Sequence, residues 1–237
     1  MIDNLSVLAI IPARGGSKGI PRKNIKMLGK MPLIAHTIIA AQKSKYIDHL
    51  HVSTEDEEIR TIAQSYGVEV PFLRDDKYAQ DNIPNIPDVI NCVTKEVETR
   101  QNHNVDLVLL LEPTYPFRSA ETIDKVIEFV GNSNADLVAT ISKTREHPLR
   151  MRKFDPETNK ISAFVDSRDL FCQRQEFNSL YNIKGAVYAT RRANLFKDLN
   201  KCSWEGVVIN AVESMDIDVP FDFKLAIAME ECFKNEN

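Results

Sequence analysis

The chain is 237 residues long, 43% hydrophobic and 27% charged, a composition ordinary for a soluble globular protein. That length buries a substantial core and fits one large α/β domain with at most a small appendage. A net charge of −4 excludes general attraction of the surface to nucleic acid, so any anion site must be local.

Val7 to Ile11 is a short apolar run that reads as a buried strand. It is too short and wrongly flanked for a signal peptide, and no stretch is long enough to span a bilayer. The expected location is therefore the cytoplasm, away from membranes. A Gly/Pro-rich loop follows, then a helix over Pro32 to Lys43 with Leu33, His36, Thr37 and Ala40 at helical spacing. His49 to Ser53 reads as a strand, and Glu55 to Tyr66 as a helix capped by Thr54 with acidic residues in its first turn. Val68 to Phe72 reads as a short strand and Val89 to Arg100 as a helix. Leu107 to Leu111 is a strand, Glu121 to Val130 a helix and Leu137 to Ile141 a strand.

Strands apolar on both faces, spaced by helices, predict an α/β fold with a mostly parallel sheet covered by helices on both faces. From about His147 to Tyr188 the pattern changes to short β-like pieces (Ile161 to Val165, Ala186 to Tyr188) among charged stretches. This segment, 147–188, reads as an inserted subdomain rather than more of the sheet. A strand near Val207 to Asn210 and a helix from Phe221 to Phe233 complete the chain. Cys92, Cys172, Cys202 and Cys232 are far apart and form no C-x-x-C pair, which fits idle thiols in a reducing compartment better than a disulfide or zinc framework. His49 and His51 share a strand face, but no third metal ligand is near in sequence. His147 precedes Pro148 and is expected to shape a turn.

The loop after the first strand runs P-A-R-G-G-S-K-G-I-P-R-K-N, Pro12 to Asn24. Gly15, Gly16 and Gly19 allow backbone N–H groups to converge on phosphate oxygens. Arg14, Lys18, Arg22 and Lys23 place four cations within ten residues, a self-repelling cluster unless a polyanion or acidic side chains compensate. Neither the Walker spacing nor the dinucleotide G-x-G-x-x-G spacing is present. Loops in this position, beyond the carboxyl end of a parallel strand, are where such sheets bind ligands. Near the other end of the chain, Asp216 and Asp218 flank Ile217, and in an extended segment both carboxylates lie on one face. Such a pair suits Mg²⁺ with substrate phosphates and water; a solvated pair at the start of the last helix is the other reading.

The loop I-I-P-A-R-G-G-S-K-G-I-P-R-K-N resembles that of the cytidylyltransferases that activate nine-carbon α-keto sugar acids: the CMP-sialic acid synthetases and their CMP-legionaminic and CMP-pseudaminic relatives. The similarity continues in order along nearly the whole chain. The family's R-P-x-x-L-A-x-D resembles Arg74 to Asp81, its Q-P-T-S-P-L-R resembles Glu112 to Arg118, and its H-P-L-K is similar to His147 to Arg150. Its R-Q and N-G-A-I-Y resemble Arg174-Gln175 and Lys184 to Tyr188, and its D-I-D resembles Asp216 to Asp218.

The resemblance implies a single nucleotidyltransferase domain over 1–237, with 147–188 as a dimerisation and sugar-pocket subdomain and a homodimer as the assembly. The implied reaction is attack of the sugar's anomeric hydroxyl on the α-phosphorus of CTP, giving a CMP-sugar and pyrophosphate. Arg14, Gly15, Gly16, Ser17, Lys18 and Lys23 would hold the triphosphate, with Lys23 and Arg14 nearest the leaving pyrophosphate. Asn24, Arg74, Asp81 and Asn82 would contact the nucleotide, and Asp216 and Asp218 would hold Mg²⁺. Arg174, with Gln175 beside it, would meet the sugar carboxylate. Arg150 is the second candidate for that role, and Tyr188 would line the N-acyl pocket.

Three departures from the family pattern stand out: Glu112 for glutamine, Tyr115 for serine, and Lys184 for asparagine. Two of these change charge at the expected sugar site, which points to a nonulosonic acid other than N-acetylneuraminate. A nucleotidyltransferase acting on a sugar-1-phosphate or 3-deoxy-octulosonate, and a non-catalytic nucleotide-binding regulator, are the alternatives.

Overall fold

Residues 7–12 alternate their side chains between two apolar layers, and the whole architecture follows from that. In the computed structural model, which describes residues 5–70, 72–75, 86–165, 179–195 and 197–235, β1 (Val7–Pro12) lies deep in a six-stranded sheet. Val7, Ala9 and Ile11 belong to one core cluster, with Ile34, Ile38, Ile59, Ile123 and Ile127. Leu8 and Ile10 belong to a second, with Val93 and Val97. Successive side chains of a strand point to opposite faces, so an all-apolar run can be buried on both only where helices cover both.

In chain order, β1 leads into the small ribbon β2 (Met27–Leu28) and β3 (Met31–Pro32), then α1 (Leu33–Gln42), β4 (His49–Ser53) and α2 (Glu57–Ser65). Next come α3 (Ile86–Gln101), β5 (Leu107–Leu110), α4 (Ala120–Asn132) and β6 (Leu137–Lys143). The hairpin β7 (Arg152–Asp155) and β8 (Lys160–Ala163) precedes β9 (Tyr181–Arg191), β10 (Trp204–Val208) and α5 (Pro220–Asn235). The sheet order is β10-β6-β9-β5-β1-β4. All neighbours are parallel except β9, which runs antiparallel to both β5 and β6. The chain leaves β1 toward β4 on one side and leaves β5 toward β6 on the other. The carboxyl ends of β1 and β5 therefore flank a topological switch point, the crevice where open α/β sheets bind ligands.

Four elements differ from the sequence reading. The cap of α2 is Asp56, whose carboxylate accepts from the N–H groups of Glu58 and Ile59 at 3.0 Å each. Thr54 sits too early for that task and accepts from Asp56 N instead. No strand forms over the described part of Val68 to Phe72; Val68 and Val70 are buried as a loop packed on the core, and burial of alternate loop residues mimics strand periodicity. The last strand starts earlier than expected, at Trp204. The reading of 147–188 as wholly outside the sheet is also corrected, because Ala186 to Tyr188 belong to β9 in the middle of it. The excursion from the sheet lies between the end of β6 and the start of β9. Within it, His147 accepts from Leu149 N at a short turn over Pro148–Arg150.

The register of β9 against β6 jumps between Ala139 and Thr140: Ala139 faces Tyr188, while Thr140 faces Lys184. The Thr140 hydroxyl holds this bulge, donating to Lys184 O at 2.6 Å and accepting from Val187 N at 3.1 Å. Bulges re-aim side chains beside sites, and this one sets Gly185 against the end of β5. His51 is buried, stacks on Phe72 at 4.7 Å, and is held neutral by burial and by Arg100, its pKa lowered to about 4. Cys92, Cys202 and Cys232 are free thiols, with Cys92 and Cys232 exposed; Cys172 lies outside the described residues. No helix among the described residues is long and apolar enough to cross a membrane.

Candidate active site

The loop after β1 is held in place by acidic residues at the start of α2. Ala13 N donates to Ser53 O at 2.9 Å, continuing the β1–β4 pairing by one step. Gly15 N then donates to Glu55 Oε1 at 2.7 Å, and the other Glu55 oxygen accepts from the Arg74 guanidinium at 2.6 Å. A side chain at Gly15 would collide with the Asp56 carboxylate, which explains the glycine, whereas a Cβ at Gly16 would meet nothing within 4 Å. Arg22 adopts the left-handed conformation, with φ at 55°, and its guanidinium is paired with Asp56 and with Glu58. Arg22 in turn holds the Asp56 carboxyl below its ordinary range. One of the four loop cations is thus committed to the start of α2. Asn24 is buried and donates to Arg14 O at 2.9 Å, closing the loop on itself.

The segment that carries the acidic pair meets this loop directly, through Ile217 and Asp218. Ile217 is fully buried with Ile20, Leu28, Leu33 and Phe223 in a core shared by the loop, the β2–β3 ribbon and α5. A Cβ at Gly19 would lie 2.5 Å from Asp218 O, so only glycine permits this approach. Lys23 donates to Ile217 O at 2.7 Å and lies 3.3 Å from Asp218 Oδ1. The N-terminus of α5 is served by Asp222, which accepts from Asp218 N and Val219 N at 2.9 Å each. Helix capping therefore does not account for Asp216 and Asp218. Asp218 is exposed, and Asp216 accepts from the Tyr115 hydroxyl at 2.8 Å. The other Asp216 oxygen, Oδ1, is buried without a hydrogen-bond partner among the described residues. An orphaned buried carboxylate oxygen is costly unless a cation or donor completes it, and a hard divalent cation matches this donor set.

The turn after β5 forms the third wall. Arg118 is buried beneath it and donates to Ala186 O, to Thr37 Oγ1 at 2.7 Å and to Glu112 O at 3.2 Å. Glu213 accepts from Ser119 N, Ser119 Oγ and Thr122 Oγ1, tying the segment before Asp216 to the start of α4. The Glu112 carboxylate lies against Gly185, where a Cβ would overlap it. Burial, followed by the Asp216 carboxylate, pushes the Glu112 pKa up to about 7, against the opposing pull of Arg118. Glu112 and Tyr188 share an otherwise mostly apolar cavity of about 210 Å³ with Ile90, Leu110 and Trp204. Burial, then Glu112 and Asp216, push the Tyr188 phenol up to about 12.

Lys184 lines a different cavity, of about 740 Å³, beside Lys143, Arg145, Met151 and Met229. The two charge departures thus face separate cavities. Arg150 is exposed at the end of the short turn that follows His147. Asp81, Asn82, Arg174 and Gln175 lie outside the described residues. The structure brings Lys23 and Asp218 together with the glycine loop, Asp216 with Tyr115, and Glu112 with Tyr188. Sequence reading missed the parts played by Glu55, Tyr115, Arg118 and Glu213. The unusual tyrosine and the paired acids before α2 were the available signals.

The Glu112 environment has a measurable signature. Its folded pKa of about 7 lies above the ordinary 4.5, so the unfolded chain releases the proton first. The contribution of Glu112 to stability is therefore complete below pH 4.5 and is lost as pH rises through 7. Glu112→Gln removes this loss. In metal-free buffer at pH 8 the variant is expected to be more stable by roughly 1–3 kcal/mol, with little difference at pH 4.5. Urea midpoints at the two pH values check this; equal midpoint shifts at both would refute it.

The sequence profile of the cytidylyltransferase family matches residues 8–213. The chain belongs to the cytidylyltransferase family. It is 34% identical to the CMP-N,N'-diacetyllegionaminic acid synthase of Legionella pneumophila, across 96% of this chain and 97% of that one. It is 36% identical to a pseudaminic acid cytidylyltransferase of Campylobacter jejuni, across 81% of each chain. Among solved structures, a CMP:2-keto-3-deoxy-manno-octonic acid synthetase in complex with CTP superposes with a TM-score of 0.69 at 15% identity, covering 95% of this chain and 98% of that one. This structural likeness bears on the fold, and it agrees with a mostly parallel nucleotidyltransferase sheet. The family carries the activity: the chain is a nucleotidyltransferase.

Proposed function

We infer that this cytidylyltransferase transfers CMP from CTP to a nine-carbon α-keto sugar acid, releasing pyrophosphate. The observation that carries the reading is the contact of the glycine loop with the acidic pair at the switch point, Gly19 against Asp218 and Lys23 between them. The names of the relatives, whose sugars are legionaminic and pseudaminic acids, support the acceptor class.

In this mechanism the loop binds the triphosphate through backbone N–H groups and through Arg14, Lys18 and Lys23. Ser17 and the open backbone at Gly16 complete the cradle. Asp216 and Asp218 would hold Mg²⁺, which supplies charge neutralisation and alignment of the phosphates when bound. Lys23 places its ammonium between loop and acidic pair, where charge develops on the departing pyrophosphate. Such transfers depend on positioning and charge neutralisation more than on covalent participation. Arg74 is drawn to the nucleotide end through Glu55, and Asn24, Asp81 and Asn82 are assigned to the same end.

Glu112 and Tyr188 form the acyl side of the sugar pocket. Arg174 with Gln175, then Arg150, are the candidates for its carboxylate, and Lys184 contributes from the neighbouring cavity. The Glu112 carboxylate favours a nonulosonic acid with amino or acyl groups unlike those of N-acetylneuraminate. The β7–β8 hairpin and its flanks present Phe154, Ile161 and Phe164 to solvent. An apolar patch of this kind suits a homodimer interface, formed by the excursion within 147–188 of a protein working in the cytoplasm.

The test is pyrophosphate release from purified protein with CTP, UTP or GTP, Mg²⁺ and a panel of nine-carbon keto acids. Turnover is expected with CTP and a diamino nonulosonate, from protein that sediments as a dimer. Preference for N-acetylneuraminate would overturn the acceptor assignment. CTP binding without pyrophosphate release on any acceptor would overturn the catalytic one, and monomeric sedimentation would remove the dimer.

A further inference from the structure

Tyr115 occupies a position where the family pattern carries serine, and no part of the reaction described above uses it. It is 4% exposed, and three parts of the chain fix its place. Its N–H donates to Glu112 O at 3.3 Å within the turn after β5. Its ring edge lies against Gly185 at the β9 bulge, where a Cβ would come within 3.0 Å of Cε2. Its ring packs with Ala186 and with Ile209, just past the end of β10. Held in this way, the hydroxyl donates to Asp216 Oδ2 at 2.8 Å. The second oxygen of the same carboxylate, Oδ1, is buried and has no partner among the described residues.

We propose that Tyr115 is a positioning residue for divalent-cation binding: it fixes Asp216 by one oxygen and leaves the other turned toward the cation. The proposal rests on the reading that Asp216 and Asp218 hold that cation. A hydrogen bond at one oxygen fixes the orientation of the carboxylate, so Asp216 presents its other oxygen in a set direction. Hydrogen-bonding partners behind a metal ligand commonly change metal affinity by about 10–100-fold. A serine hydroxyl is several ångströms shorter and could not span this distance from the same backbone.

Tyr115→Phe removes the hydrogen bond and keeps the ring. Three readouts separate positioning from support of the fold. Mn²⁺ affinity is measured by electron paramagnetic resonance in the presence of a non-hydrolysable CTP analogue. The Mg²⁺ concentration for half-maximal pyrophosphate release is measured beside it. The melting temperature is taken in EDTA.

Mn²⁺ binding is expected to weaken about 10-fold and the Mg²⁺ requirement to rise by the same factor. Turnover at saturating Mg²⁺ should stay within about twofold and the melting temperature in EDTA should hold. Equal Mn²⁺ affinity in wild type and variant would overturn the proposal while leaving the cation reading intact. A lower melting temperature or lower turnover at unchanged metal affinity would overturn it as well. Absence of Mn²⁺ binding in the wild type would remove the cation reading, and this inference with it.

Discussion

Replacing Lys23 with alanine is expected to lower turnover with CTP by about 10²–10³-fold, the usual cost of removing one preorganised group aimed at developing charge. The ammonium is half-buried, and it reaches the acidic segment from the loop side, 2.7 Å from Ile217 O and 3.3 Å from Asp218 Oδ1. Its backbone position is set by the left-handed Arg22 and the turn Lys23–Ile25. Lys23→Arg keeps the charge but changes its shape and reach, so it should recover only part of the rate. Steady-state pyrophosphate release at saturating CTP and Mg²⁺ measures both. A loss in KM alone, with turnover intact, would show that Lys23 binds the ground state without assisting departure of pyrophosphate.

The largest effect on stability is expected at Arg118. Its guanidinium is buried and serves three acceptors from three elements: Glu112 O in the turn after β5, Ala186 O on β9 and Thr37 Oγ1 on α1. Arg118→Met preserves much of the volume and strands those acceptors away from water. At about 1–3 kcal/mol for each orphaned group, with some relaxation, the expected loss is about 3–5 kcal/mol. For a domain of this size, that loss lowers the melting temperature by roughly 10 °C. Lysine cannot address three acceptors in a fork and should recover little. Urea and thermal unfolding of the metal-free protein check this. A change below about 1 kcal/mol would mean that the β5 turn is held by its packing alone.

Half of this architecture was legible in the sequence because the signal is local. β1 and β5 are continuous apolar runs, α1 is apolar on nearly every side and α4 has a clear apolar face, so a parallel sheet under two helical layers could be read directly. β9 could not. Its first residues, Tyr181 to Ile183, are exposed, its middle contains Lys184 and Gly185, and its partners are fixed only by the fold. The site divides in the same way. The glycine loop is a dense cluster whose residue types point to phosphate, and the Asp216–Asp218 pair becomes a cation candidate once the family resemblance is added. The side chains that hold them in place act across long stretches of chain: Glu55 on Gly15 over 40 residues, Arg118 on Ala186 over 68, and Tyr115 on Asp216 over 101. No local pattern records such pairs. The Thr54 cap failed for a smaller reason: the helix starts at Glu57, so the N–H groups to be capped are those of Glu58 and Ile59, which Asp56 reaches, while Thr54 accepts from Asp56 N.

The antiparallel strand β9 also sets the order in which the molecule can be completed. β4, β1 and β5 can pair as soon as residue 110 is made, because all three are present by then. β6 has no contact edge on β5; the seat between them belongs to β9, which ends at residue 191. Until that strand arrives, a growing chain leaves open the edges of β5 and β6 that β9 comes to cover. Unpaired edges of this kind invite pairing with other chains, and contacts that must wait for a distant segment slow folding. The bulge that sets Gly185 against Glu112 is thus installed late, by the same step that joins the two halves of the sheet.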